Sequence, residues 1–196
     1  MNRKRILVLD GHPGGRSLSG LFTKTYADAA VAAGHDVRHM RLSDMQFDMD
    51  FGDGGYKNHK PLEPVLEDFL TSLEWAEHFV VSTPMWWGGL PAKLKGLFDR
   101  TLLPGRAFDT RVTKMGMPTP MLTGKTARVI LTSDTPMWAM RWLYRRALMH
   151  QTTNQIMKFC GLKPTRYTYF SGATNADAPQ VSCWSKQLEA LGGSAA

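Results

Sequence analysis

The sequence predicts a doubly wound α/β fold: a five-stranded parallel sheet of order 2-1-3-4-5 with helices on both faces. Three observations lead there. Short apolar runs of strand length recur along the 196 residues, helical patterns separate them, and glycine- or proline-rich breaks follow the first and third runs. Parallel strands need crossovers, overwhelmingly right-handed, and such sheets bury both faces.

The first strand is Ile6-Leu7-Val8-Leu9-Asp10, ended by Gly11-His12-Pro13-Gly14-Gly15. A helix follows, capped by Ser17 or Ser19, with Leu21, Phe22, Tyr26, Ala29, Ala30 and Ala33 at helical spacing until Gly34. Asp36 to Arg41 forms the second strand, and a loop rich in Asp, Gly and Met leads to a helix near Leu62 to Trp75. That loop is long enough to be functional or mobile. Phe79 to Thr83 is the third strand, Ala127 to Thr132 the fourth after a second long loop, and Thr165 to Phe170 the fifth after a helical stretch between Trp138 and Phe159. A last helix spans Pro179 to Leu191. In a flavodoxin-like sandwich of this kind, ligands bind at the carboxyl ends of the strands beside the topological switch point, so the loops after strands one, three and four should meet.

The length suits one domain over residues 1–196, burying roughly 70% of the unfolded surface. No run reaches the roughly 18 apolar residues of a membrane span, and the N-terminus passes from Arg3-Lys4-Arg5 into a strand, which predicts a soluble cytoplasmic protein. Cys160 and Cys183 lack metal or disulfide spacing and read as thiols. The net charge of +7 is spread through the chain with carboxylates between the cations, which argues against nucleic acid and for a solvated basic surface. A narrower use is the steering of a phosphorylated dinucleotide such as NADPH.

Four motifs fail on inspection. Gly124-Lys125-Thr126 lacks the leading Gly of a triphosphate loop, Thr119 standing there, and it enters a strand. Gly15-Arg16-Ser17-Leu18-Ser19 misses the final Gly of a hydrolase elbow, leaving serine hydrolysis a weak alternative. Asp48, Asp50 and Asp53 are out of step for a calcium loop, with His59 where the Glu belongs. The dinucleotide fingerprint does not follow strand one.

What remains is a constellation for a flat phosphorylated cofactor. Ser17, Leu18 and Ser19 open a helix, where free N–H groups and the dipole favour an anion, and His12 is a further donor unless it only satisfies its turn. Pro84-Met85-Trp86-Trp87-Gly88 puts two large aromatics and backbone amides on the loop leaving strand three, suiting both the face and the edge of a ring. Thr132, Ser133 and Asp134 add donors and acceptors from strand four.

These residues resemble the flavodoxin-like NAD(P)H dehydrogenase (quinone) family, which includes quinone reductases, azoreductases and ancillary subunits of potassium efflux systems. The resemblance is carried by Pro84 to Arg100 with Pro104-Gly105-Arg106-Ala107-Phe108, by the His12-Pro13 to Ser19 loop, by a helix ending at Ala76-Glu77-His78, and by Phe159-Cys160-Gly161. It implies a flavoprotein oxidoreductase, homodimeric, using NAD(P)H to reduce a quinone or similar aromatic acceptor by ping-pong hydride transfer. The alternatives are a regulatory flavoprotein subunit of a potassium efflux transporter and a one-electron flavodoxin-type carrier. Carried over, Ser17 to Ser19 hold the flavin phosphate, Pro84 to Gly88 line the isoalloxazine ring, Thr132, Ser133 and Asp134 meet its pyrimidine side, and Phe108 either closes the substrate pocket over the ring, from its own or the partner subunit of a dimer with active sites at the interface, or is a hydrophobic loop anchor, with Trp138 near the pocket. FMN is expected over FAD, because the chain ends soon after its fifth helix. The family's Gly pair, Tyr and His after strand four are replaced here by Asp134-Thr135, Met140 and Arg146, so no protein acid is assigned, and Arg141, Arg145 or Arg146 offers charge stabilisation instead.

Overall fold

The computed structural model describes residues 2–52, 55, 58–114 and 116–196, with no account of the side chains of 112–114; Asp53 lies outside the described residues. Five parallel strands form the main sheet: β1 (Arg5–Asp10), β2 (Asp36–Arg41), β3 (His78–Pro84), β6 (Thr126–Ser133) and β7 (Thr165–Ser171), in the order β2-β1-β3-β6-β7. Counting only the parallel strands, this is the predicted 2-1-3-4-5. Alternation along β1 divides the core in two. Leu7 and Leu9 face the side that carries α2 (Pro64–Trp75), α3 (Ala92–Thr101) and a π-helix over Gln151–Lys158, while Ile6 and Val8 face α1 (Leu18–Ala32) and α6 (Ala178–Ser194). Gly192 permits the close packing of α6 on α1, since a Cβ there would stand 2.3 Å from the Tyr26 carbonyl oxygen.

Two regions depart from the sequence reading. The long loop before β6 contains an antiparallel hairpin, β4 (Phe108–Lys114) and β5 (Met117–Pro120), whose prolines and irregular register disguise it. The single helical stretch expected between Trp138 and Phe159 is broken into α4 (Met137–Trp142), α5 (Ala147–His150) and the π-helix, because Arg145 and Arg146 both take positive φ, 48° and 54°. The second helix ends at Trp75 as read and begins at Pro64: Ala76 turns extended at ψ 147°, and His78 opens β3.

The long loop before α2 is fastened by Arg100, the most voluminous fully buried side chain. Its guanidinium donates to the Asp48 and Pro61 carbonyl oxygens and to Glu63 Oε2, the last two at 2.9 Å. Asp48 and Asp50 each hold Lys60 Nζ at 2.7 Å, and Lys125 Nζ donates to the Glu74 and Ala76 carbonyls at the end of α2, which gives both decoy motifs structural roles.

His78 is buried beside Tyr26, with Nδ1 2.6 Å from Thr126 Oγ1 and Nε2 without a partner among the described residues. Burial, then the charges of Lys4, Arg128 and Arg166, push the imidazole down to about 3. The folded ring therefore resists a proton that the unfolded chain accepts near pH 6.5, so stability is full above that value and is lost as the pH falls toward 3. Going to about pH 5 should cost about 2 kcal/mol. Urea titrations of the parent and of His78→Phe check this; equal pH slopes in the two would contradict it.

Candidate functional site

The loops after β1, β3 and β6 meet at one sheet edge because the strands end in register. Asp10 pairs with Ser82, and Pro84 with Thr132. Two backbone bonds join the loops: Gly11 N–H donates to the Ser82 carbonyl at 2.7 Å, and Met85 N–H to the Thr132 carbonyl at 2.9 Å. Gly11 is required at this approach, as a Cβ there would lie 2.9 Å from the Ser82 oxygen. The order of the strands reverses between β1 and β3, which makes this crevice the switch point.

On one side of it stands the N-terminus of α1. Ser17 caps the helix, its Oγ accepting from Gly20 N–H at 3.0 Å and its carbonyl from Leu21 N–H. That leaves the Leu18 and Ser19 N–H groups without partners among the described residues, and Ser19 Oγ is buried without one. Free donors at a helix N-terminus suit an anion of phosphate size. His12 belongs to the same loop. Its Nδ1 lies 2.9 Å from Gly14 N and 3.2 Å from the Gly14 carbonyl oxygen, so Nε2 is the ring nitrogen left for a ligand.

Beneath the loop lies Asp10, a residue that sequence reasoning passed over as the end of a strand. Its carboxylate is fully buried, accepts His12 N–H at 3.1 Å through Oδ1, and has Oδ2 3.9 Å from Arg41 Nε. Burial pushes the carboxyl up, against the opposing pull of the His12 N–H and of the charges on His12, Arg41 and His39. Arg41 also donates to the Gly15 carbonyl at 2.6 Å, so β2 braces the anion loop from below.

The aromatic loop is a two-residue hairpin. Trp86 and Gly89 exchange backbone bonds of 3.0 and 2.9 Å, and the residues between them, Trp87 at φ 52° and Gly88 at φ 73°, show the paired positive φ of a type I′ turn. Glycine takes this conformation freely; an indole does so at a cost of roughly 1–2 kcal/mol. Trp87 is nonetheless fully exposed, and Trp86 is 45% exposed with its ring edge-on to His12 at 5.6 Å. One expectation needs correction here. The Met85 and Trp86 amides are occupied by Thr132 and Gly89, and only those of Trp87 and Gly88 lack partners among the described residues.

From β6, Thr132 and Ser133 are buried at the strand end, and Ser133 Oγ accepts Thr135 N–H at 3.0 Å. Asp134 is turned away to the loop after β7, where it accepts from Thr174 N–H at 2.8 Å and Thr174 Oγ1 at 2.6 Å, bonds that hold its carboxyl below the usual range. It is a clamp between two loops. Trp138 is 66% exposed on α4, and Arg141, Arg145 and Arg146 are exposed beside it.

Within one chain, Phe108 stands apart from the three converging loops. It is 7% exposed, packed in the core against Phe159 at 5.0 Å, where it anchors the hairpin. It lines a cleft of about 790 Å³ together with Phe98, Lys95, Gln155 and Phe159, and that cleft includes none of the residues of the three converging loops. Free amides, exposed aromatics and converging polar groups make the switch point, ahead of this cleft, the candidate site for a flat anionic ligand.

The sequence model of a family described as "Flavodoxin-like fold" matches residues 4–191. Among curated proteins, the chain is 29% identical over 113 residues to FMN-dependent NADH:quinone oxidoreductase 1 of Bradyrhizobium diazoefficiens, an overlap covering 58% of this chain and 53% of that one. It is 32% identical over 138 residues to NAD(P)H dehydrogenase (quinone) 1 of Rattus norvegicus, covering 66% and 49%. The chain spans about half the length of these relatives. Among solved structures, an NAD(P)H:quinone oxidoreductase of Methanothermobacter marburgensis superposes with a TM-score of 0.81 at 18% identity, covering 100% of both chains, a likeness of fold.

Proposed function

The chain belongs to the flavodoxin-like family, and on that premise we propose that it is an FMN-dependent oxidoreductase that carries reducing equivalents from NAD(P)H to quinone-like aromatic acceptors. One observation carries the reading: a fully exposed indole, Trp87, is held at positive φ on the switch-point loop that faces an anion-ready helix N-terminus. Strain kept at an exposed position calls for a function, and a flat ring with a phosphate tail accounts for both ends of the crevice. The curated relative from Bradyrhizobium, named as FMN-dependent, supports the choice of cofactor.

Bound FMN would supply the ring that accepts and donates hydride. The protein's own tasks are binding, orientation and charge. Leu18 and Ser19 N–H, Ser19 Oγ and His12 Nε2 hold the phosphate. Pro84 to Gly88 line the ring, the Trp87 and Gly88 amides serve its polar edge, and Thr132 and Ser133 border its pyrimidine side. Asp134, committed to Thr174, braces the rim without opposing charge on the ring. Donor and acceptor take turns in one stacking slot, which makes the kinetics ping-pong. The same reading makes the protein a cytoplasmic homodimer.

The test is the absorption spectrum of the purified protein, chromatography of the released cofactor, and initial rates with NADH or NADPH and a benzoquinone. A flavin spectrum, released FMN and parallel double-reciprocal lines are expected. Colourless protein that takes up no added FMN would refute the reading, and intersecting lines would refute the shared slot. Trp87→Gly separates strain from function: the variant should unfold about 1 kcal/mol later than the parent and yet bind FMN more weakly. Unchanged affinity would remove Trp87 from the site.

A further inference from the structure

The floor of the anion site carries a charge of the wrong sign. Ile6 and Val8 face α1, and alternation along β1 puts the Asp10 side chain on that same side, under the first turn of the helix. The approach is close: a Cβ on Gly20 would stand 2.9 Å from Asp10 Oδ2 and 3.4 Å from Ser17 Oγ, the oxygen that caps the helix. Asp10 is fully buried, and its Oδ2 has no hydrogen-bond donor among the described residues. Ser19 Oγ on the helix and Ser82 Oγ on β3, in register with Asp10, are likewise buried without partners. A buried carboxylate oxygen without a donor is costly while charged and far cheaper to bury once protonated.

Few charged groups face this carboxylate. From its own loop, His12 N–H holds Oδ1, and the His12 ring stands near. From β2 come Arg41 and His39, while α1 offers its dipole and the Ser17 and Ser19 hydroxyls, and β3 only the uncharged Ser82. Arg41 is divided among Asp44 at 3.8 Å, the Gly15 carbonyl, and Asp10 Oδ2, from which its Nε stands 3.9 Å away. We propose that Asp10 sets the affinity of the site by accepting a proton from solvent as the cofactor's phosphate enters. One O–H bond forms at Oδ2, and no other bond changes. A phosphate on the Leu18 and Ser19 amides brings about two negative charges to the helix end that Asp10 already occupies, and like charges so close resist joint ionisation. The phosphate has the amides and the Ser19 hydroxyl as donors, whereas Oδ2 has none, so the proton settles on Oδ2. This role of Asp10 rests on the flavin reading of the crevice.

Asp10→Asn tests it, because the amide oxygen can keep the His12 N–H bond while the charge is lost. At about pH 8 the variant should bind FMN about 30-fold more tightly than the parent in a fluorescence titration. That ratio should fall toward one in acid, by up to about tenfold per pH unit, because the parent then carries the proton already. Riboflavin, which has no phosphate, should bind both proteins equally. Where the ratio changes, calorimetry in two buffers of different ionisation enthalpy should show the parent taking up a proton with FMN and none with riboflavin, a result that needs no variant. The phosphorus resonance of bound FMN should remain that of a dianion throughout. Urea unfolding checks that the variant is folded. Equal or weaker FMN binding by the folded variant at every pH would overturn the proposal, and so would a bound phosphate that titrates in place of Asp10. Failure of both proteins to bind FMN at any pH would remove the flavin reading and this role with it, whereas FMN binding with a flat ratio would remove the role alone.

Discussion

Ser17→Asp should leave the apoprotein at least as stable as the parent while lowering its affinity for FMN about 100-fold. The two effects separate because one residue serves two ends. Aspartate caps a helix as well as serine does, and its charge is favourable against the positive end of the α1 dipole. The Gly20 N–H therefore keeps an acceptor. The new carboxylate, however, occupies the field that the Leu18 and Ser19 amides offer to a phosphate, and repulsion from a dianion a few ångströms away amounts to about 3 kcal/mol. Flavin fluorescence titration of apoprotein measures the affinity, and urea unfolding measures the stability. Affinity unchanged within a factor of two would mean that Ser17 is a cap and nothing more.

Glu63→Ala should lower the unfolding free energy by about 3 kcal/mol and the melting temperature by roughly 10 °C. Arg100 is 1% exposed, and Glu63 is its countercharge at 2.9 Å; the Asp48 and Pro61 carbonyls that share the guanidinium carry no full charge. Removing the carboxylate leaves a buried cation half-compensated. It also frees Asp48 N–H, which Glu63 Oε1 accepts at 3.0 Å, so the loop before α2 should loosen first. Replacing both partners, Arg100→Met with Glu63→Gln, should cost less than Glu63→Ala alone, because no unpaired charge is then buried. A loss below about 1 kcal/mol for Glu63→Ala would show that the two carbonyls suffice.

The three central strands were legible because each carries an apolar run, β1 and β3 stopped by residues that cannot continue it, as Leu9-Asp10 is by Gly11 and Thr83-Pro84 by the tryptophan turn. Their order followed from the crossovers. The β4–β5 hairpin was not legible, since Met117-Pro118-Thr119-Pro120 reads as a breaker and pairs only because Phe108 anchors its partner strand in the core. The broken helix after β6 escaped notice for a similar reason: nothing in the helix-forming text of Arg145-Arg146 announces a left-handed turn. At the site, the loops could be named from glycine, proline and serine positions. Which amides were already spent in backbone bonds, and that Asp134 points at Thr174, depended on neighbours far away in the chain. Asp10 was hidden by its position at the end of an apolar strand, where a carboxylate looks like a simple exit to solvent.

The packing of α6 on α1 sets a schedule for the newborn chain. The smaller of the two core faces, built on Ile6, Val8 and Phe22, is completed by Leu188 on α6, and the Gly192 contact with Tyr26 joins the same two helices. Until that last helix is synthesised, α1 has one apolar flank uncovered. Closure then depends on contacts between residues more than 160 positions apart, which are slow to form. During that interval the unfinished sandwich leaves apolar surface uncovered, and its strands are most exposed to mispairing.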